Sequence, residues 1–210
     1  MKMKKIKLIA FDLDGVLVDG SGSWAQVHEG LGTLEQSEIN GHEYFSGRIT
    51  FDEWAERDVA LWRGVDIETV KEILYNSHLM KGIDETIPRL KKNYKLAVIS
   101  GGLKILADHL KEKYNMDYSY GNELMVNDGK VKGINQIVDF EGKGKILEKI
   151  ANDAGIKTEE CAAVGDYIND IPMFKVAGFS IAFNPKDESI LEYVDEVIYE
   201  KDLRRLLRFF

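Results

Sequence analysis

Two aspartates two residues apart, Asp12 and Asp14, close an apolar run that begins at Ile6 and is broken only by Lys7. In an extended chain that spacing sends both side chains to one side of the strand end. Two carboxylates delivered to the tip of a buried-type strand are costly unless a ligand compensates them. The chemistry that suits the pair is metal-assisted attack by one carboxylate while the other handles a proton. Three more polar clusters follow in order. They are Ser100-Gly101-Gly102 after Val98-Ile99, the lysines of Gly142-Lys143-Gly144-Lys145, and Asp166, Asn169 and Asp170 after Val164-Gly165. A hydroxyl and glycine N–H groups opening a helix would seat an anion. A lysine would balance charge developing on the anion's oxygens.

These clusters need elements to bring them together. Apolar, β-rich runs occur at 7–11, 96–100, 162–164 and 179–183, with a fifth at 196–199. Continuous apolar runs of this kind belong to parallel strands covered by helices on both faces. Helical patterns at 83–92, 103–113, 145–154 and 171–176 supply the covering layers. The expected fold is α/β, a doubly wound parallel sheet, whose ligands sit beyond the carboxyl ends of the strands. All the polar clusters fall at that edge. Residues 20–80 contain no strand pattern but four helical ones, at 24–31, 39–45, 51–61 and 67–77. They read as a small helical cap inserted after the first strand. The division is then 1–18 and 81–210 for the catalytic core and 19–80 for the cap. The alternation at 124–131 around Asn127-Asp128-Gly129 predicts a hairpin, a peripheral ornament of the sheet.

Composition excludes several classes. With 28 Lys and Arg against 36 Asp and Glu, the net charge of −8 argues against a nucleic-acid-binding surface. No apolar run reaches the ~18–20 residues of a membrane span. The basic start Met1-Lys2-Met3-Lys4-Lys5 precedes an apolar stretch too short for a signal peptide. Cys161 is the single cysteine, which leaves no disulfide framework or thiolate metal site. The expected location is cytoplasmic, with no nucleic acid and no membrane as partner. Monomer and dimer stay open. Cys161 and the four histidines carry no motif and read as structural or surface residues.

The four clusters in this order resemble the haloacid dehalogenase superfamily of phosphatases, and within it the phosphoserine phosphatase branch. The likeness spans nearly the whole chain, including the cap position and the late hairpin. It implies an Mg²⁺-dependent phosphomonoester hydrolase working through an aspartyl-phosphate, with a small phosphorylated metabolite as its partner. Asp12 would be nucleophile and metal ligand, and Asp14 general acid/base and, through its backbone carbonyl, a metal ligand. Asp166 would be the remaining metal carboxylate. Ser100, Gly101, Lys143 and Asn169 would bind phosphate, with Asp170 orienting Asp166 behind them. The resemblance favours Lys143 over Lys145.

The cap departs from that branch. The resemblance calls for a glutamate soon after the first motif and an arginine late in the cap, for a substrate's ammonium and carboxylate. Here those positions fall near Ser21 and near Asp58, with Arg57 beside it, while Phe51 matches a cap aromatic. Ser21, Phe51 and Arg57 are therefore the cap candidates, with phosphoserine the leading substrate. Hydrolysis of another small phosphate, or transfer to an alcohol, stays open. A phospho-accepting signalling domain is disfavoured, because it needs neither Asp14 nor a cap.

Overall fold

In this computed structural model, residues 5–136 and 138–210 are described. Seven strands form one sheet: β1 (Leu8–Phe11), β2 (Lys95–Leu103), β3 (Tyr118–Asn127), β4 (Lys130–Asn135), β5 (Cys161–Gly165), β6 (Phe179–Phe183) and β7 (Glu196–Ile198), in the order β4-β3-β2-β1-β5-β6-β7. All pairings are parallel except β3 with β4. The central strand β1 is buried on both faces. Ile9 and Phe11 join the apolar cluster on one side, Leu8 and Ala10 that on the other. That is why its sequence is apolar without alternation. The chain builds outward from β1 through β2 to β4, then returns to build β5 to β7 on the opposite flank. The crevice where the winding reverses opens beyond the end of β1, at Asp12.

Between β1 and β2 run helices α1 (Ser23–Leu31), α2 (Leu34–Phe45), α3 (Phe51–Ala60), α4 (Ile67–Tyr75) and α5 (Ile83–Leu90). The start of α3 is set by a capping box in which Thr50 and Glu53 satisfy each other's backbone N–H groups. Val27 of α1, Trp62, and Val70 and Leu74 of α4 belong to the same apolar cluster as Phe11 and Val98. By contrast α2 buries only Asn40 and Gly41, and leaves Ile39 and Phe45 exposed. The covering helices of the later half are α6 (Lys104–Lys113), α7 (Lys143–Asp153) and α8 (Ile171–Val176).

Two expectations are corrected. The predicted hairpin is no ornament. β3 starts at Tyr118 and pairs with β2, extending the sheet, and the hairpin tip grips the helical insert. The grip consists of Gly64 N–H donating to Val131 O at 2.9 Å, Val131 N–H to Val65 O at 2.9 Å and Ile67 N–H to Gly129 O at 2.8 Å. Second, Gly101 and Gly102 do not open a helix. β2 continues through them with a register shift between Ile99 and Leu103, and α6 begins at Lys104.

Candidate active site

Asp12 follows β1 directly, its N–H still bonded to Val164 O at 2.9 Å. Residues 13–18 then close into a tight loop through Leu17 N–H and Val18 N–H to Leu13 O and Gly15 N–H to Val18 O. Gly15 adopts φ +103, and a Cβ there would overlap the Asp166 carboxylate. Only glycine lets this loop lie against the neighbouring strand end.

Lys143, the first residue of α7, is fully buried, whereas Lys145 is exposed. Its Nζ lies 2.7 Å from Asp12 Oδ1 and 2.6 Å from Asp170 Oδ1. A lysine at a helix N-terminus is electrostatically unfavourable. Two buried carboxylates reverse that balance here. Gly144 allows the close approach, since a Cβ there would sit 2.6 Å from Pro172 O at the start of α8. Asp170 Oδ2 accepts the N–H groups of Asp166 at 2.8 Å and Tyr167 at 3.1 Å, which fixes the loop after β5.

Asp14 is held from the insert. Ser23, opening α1, donates its N–H to Oδ1 at 3.0 Å and its hydroxyl to Oδ2 at 2.8 Å. The same hydroxyl accepts Leu103 N–H at 3.0 Å, so one serine ties Asp14, the insert and β2 together. Ser100 is buried, its Oγ accepting Gly102 N–H at 2.9 Å. Gly101 O accepts from Trp24 Nε1 at 3.0 Å and Asn122 Nδ2 at 2.9 Å, pinning the end of β2.

Burial pushes Asp12 well above the ordinary carboxylate range. Lys143 opposes this, while Asp170, Asp166 and Asp14 reinforce it. Burial also raises Asp14 against the two Ser23 bonds. Asp166 is raised to about 6 by burial and by Asp170, against Lys186. For Lys143, the burial that would lower it is outweighed by Asp12 and Asp170, and the ammonium is held more firmly than usual.

Carboxylate oxygens of Asp12, Asp166 and Asp170 lie within 4.8 Å of one another. Their donor chemistry fits a hard divalent cation. Asp170 has both oxygens occupied by Lys143 and two backbone N–H groups, whereas Asp166 Oδ2 is buried without an aligned hydrogen bond. Its neighbour is Lys186 Nζ at 2.7 Å, an ion-pair distance. Asp12 and Asp166 thus each keep one oxygen outside these pairings, whereas both oxygens of Asp170 are taken.

These groups open onto a cavity of about 330 Å³. Asp12, Asp14, Ser100, Gly101, Asp166, Asn169 and Lys186 line its sheet side; Ser21, Trp24, Phe45, Phe51, Trp54 and Asp58 line the side formed by the insert. Arg57 is not among them. It is half-exposed and pairs with Glu43 at 2.5 Å, because the helical position that faces the cavity is Asp58. Arg57 is therefore corrected to a surface residue. Sequence reasoning missed Ser23 and Lys186 altogether. Lys186 stands three residues past the end of β6, at the same sheet edge as the other clusters, and that position was the available signal.

The family model for haloacid dehalogenase-like hydrolases matches residues 6–178. The chain belongs to this family. Within it, a phosphoserine phosphatase of Methanocaldococcus jannaschii is 38% identical over 209 residues, 98% of each chain. A solved phospho-aspartyl intermediate analogue of phosphoserine phosphatase superposes with a TM-score of 0.85 at 38% identity, covering 99% of this chain and all of the other. A substrate-bound phosphoserine phosphatase complex gives 0.85 at 37% identity, covering 99% of each chain. The hydrolase is thus a phosphatase by family, and the named clusters are its strand-end residues. No described helix is long and apolar enough to cross a membrane.

Proposed function

We propose that this phosphatase hydrolyses O-phospho-L-serine, with residues 1–18 and 81–210 as catalytic core and 19–80 as substrate-selecting cap. The likeness to phosphoserine phosphatases over nearly the full length supports the substrate. The observation that carries the mechanism is Asp12 and Asp14 on one cavity wall, with Lys143 buried behind Asp12.

Lys143 holds Asp12 Oδ1, which orients the carboxylate and opposes the burial that raises it. An Asp12 oxygen attacks phosphorus and the ester P–O bond breaks, giving an aspartyl-phosphate. Asp14, raised by burial and aimed by Ser23, carries the proton that the leaving alkoxide takes. Asp14 then accepts a proton from the water that attacks phosphorus, and Asp12 and phosphate are released. Ser100 and Asn169, lining the cavity, bond the phosphoryl oxygens, and Lys143 and Lys186 bring positive charge to them. Mg²⁺, held by Asp12, Asp166 and the Asp14 carbonyl, would neutralise the phosphate dianion so that a carboxylate can approach.

The test is phosphate release from phosphoserine by wild type and Asp12→Asn, with acid-quenched protein assayed for label from ³²P-phosphoserine. Label on wild type and none on Asp12→Asn is expected. Asp12→Asn retaining release overturns the mechanism.

A further inference from the structure

The side of the cavity formed by the insert carries an unbalanced negative charge. Asp58 is 3% exposed, and its described partners are neutral. Asn40 Nδ2 donates to Oδ1 at 2.7 Å and Ser37 Oγ approaches Oδ2 at 3.4 Å. His28 Nε2 also lies 3.4 Å from Oδ2. The state of that histidine follows from its other nitrogen. Trp62 Nε1–H has only a proton to give, and it points at His28 Nδ1 at 3.2 Å, so Nδ1 is an acceptor. Thr33 Oγ1 sits at 2.8 Å from the same nitrogen. The imidazole is therefore neutral, with its single proton on Nε2, and leaves the Asp58 charge uncancelled. A buried carboxylate without a cation is expensive.

Around Asp58 the wall is aromatic, with Trp24, Phe45, Phe51 and Trp54. Among the described residues lining the cavity, Lys186 is the one cation, and it is paired with Asp166 on the opposite side. Aromatic faces and a desolvated carboxylate attract an ammonium group. A carboxylate on the leaving group would meet negative charge instead. Trp54 Nε1, buried without a partner among the described residues, offers it one neutral N–H and no counter-charge.

We infer that the cap pocket selects the ammonium of the leaving group through Asp58 and its aromatic wall, so that phosphate esters of carboxyl-free amino alcohols are substrates at least as good as phosphoserine. This rests on the hydrolase mechanism above and extends its substrate class.

The test is kcat/KM, with Mg²⁺, for O-phosphoethanolamine, phosphocholine, O-phospho-L-serine, glycerol 2-phosphate and 3-phosphoglycerate, using wild type, Asp58→Asn and Asp12→Asn. Phosphoethanolamine or phosphocholine is expected to equal or exceed phosphoserine, and 3-phosphoglycerate to be the poorest. Asp58→Asn should cost the amine esters about tenfold more than it costs glycerol 2-phosphate, chiefly in KM. Thermal unfolding of Asp58→Asn reports independently whether that variant is folded. If phosphoserine is preferred over both amine esters in wild type, the inference fails while the phosphoserine reading stands. Absence of Asp12-dependent release from every ester overturns both.

Discussion

Replacing Lys143 by alanine tests the electrostatic centre of the site. The ammonium makes buried bonds of 2.7 and 2.6 Å to Asp12 and Asp170, and Asp166 lies in the same acidic cluster. Hydrogen bonds to charged groups are worth about 1.5–3 kcal/mol each, and removing one partner of a buried pair costs about 3–5 kcal/mol. Against a total stability of about 5–15 kcal/mol, Lys143→Ala should be severely destabilised at neutral pH. At about 2–4 °C per kcal/mol for a chain of this size, Tm should fall by about 6–20 °C. The deficit has a sign with pH. Without the lysine, Asp12 rises further above its unfolded value. The stability of its neutral form is then complete below about pH 4 and lost as pH climbs through the raised folded value. The gap from wild type should therefore narrow between pH 7.5 and pH 5. Urea and thermal unfolding in EDTA at the two pH values measure it. A loss under about 1 kcal/mol at pH 7.5, or a gap that widens on acidification, would refute the electrostatic account.

Gly15→Ala should lower both Mg²⁺ affinity and stability, by about 1–3 kcal/mol, because φ +103 is strained for alanine and its Cβ meets the Asp166 carboxylate; titration calorimetry and Tm report the two effects. Arg57→Ala should leave kcat/KM within about twofold, since its partner is the surface carboxylate Glu43; a tenfold fall in phosphate release would return Arg57 to the pocket. Mg²⁺ should bind about fourfold more weakly at pH 5.5 than at pH 7.5 from Asp166 alone, whose value of about 6 leaves it mostly protonated at the lower pH. The metal-free protein should meanwhile lose stability as pH rises from 5 to 7 through that same group, because its folded value is raised.

The sequence made the sheet edge legible because parallel strands under two helical layers are continuously apolar and their ends are abruptly polar. Asp12, Ser100 and Asp166 are read that way. Lys143 needed more than local pattern, since a lysine opening a helix looks misplaced until Asp12 and Asp170 surround it. The first half of β3, Tyr-Ser-Tyr-Gly-Asn, lacks the apolar run of a buried strand, which hid its pairing with β2. Ser23 and Lys186 acquire their roles through contacts made by distant segments, and no periodicity carries that information. Arg57 and Asp58 differ by one position on α3. That single step, about a hundred degrees of helix rotation, separates a surface ion pair from the cavity wall.

The grip of the hairpin tip on residues 64–67 divides the insert in a way that matters over longer times than a catalytic cycle. Swinging 19–80 as one body would break three backbone hydrogen bonds and draw Val27, Val70 and Leu74 out of the shared apolar cluster. Helices α2 and α3 carry Phe45, Phe51, Trp54 and Asp58, yet α2 contributes little to that cluster. Drift in substrate preference and drift in folding stability thereby fall on different side chains of one insertion, often on opposite faces of the same helix. A lineage can rewrite the cavity-facing positions of 34–58 to meet a new alcohol while Val27, Val59, Val70 and Leu74 go on holding the insert to the sheet.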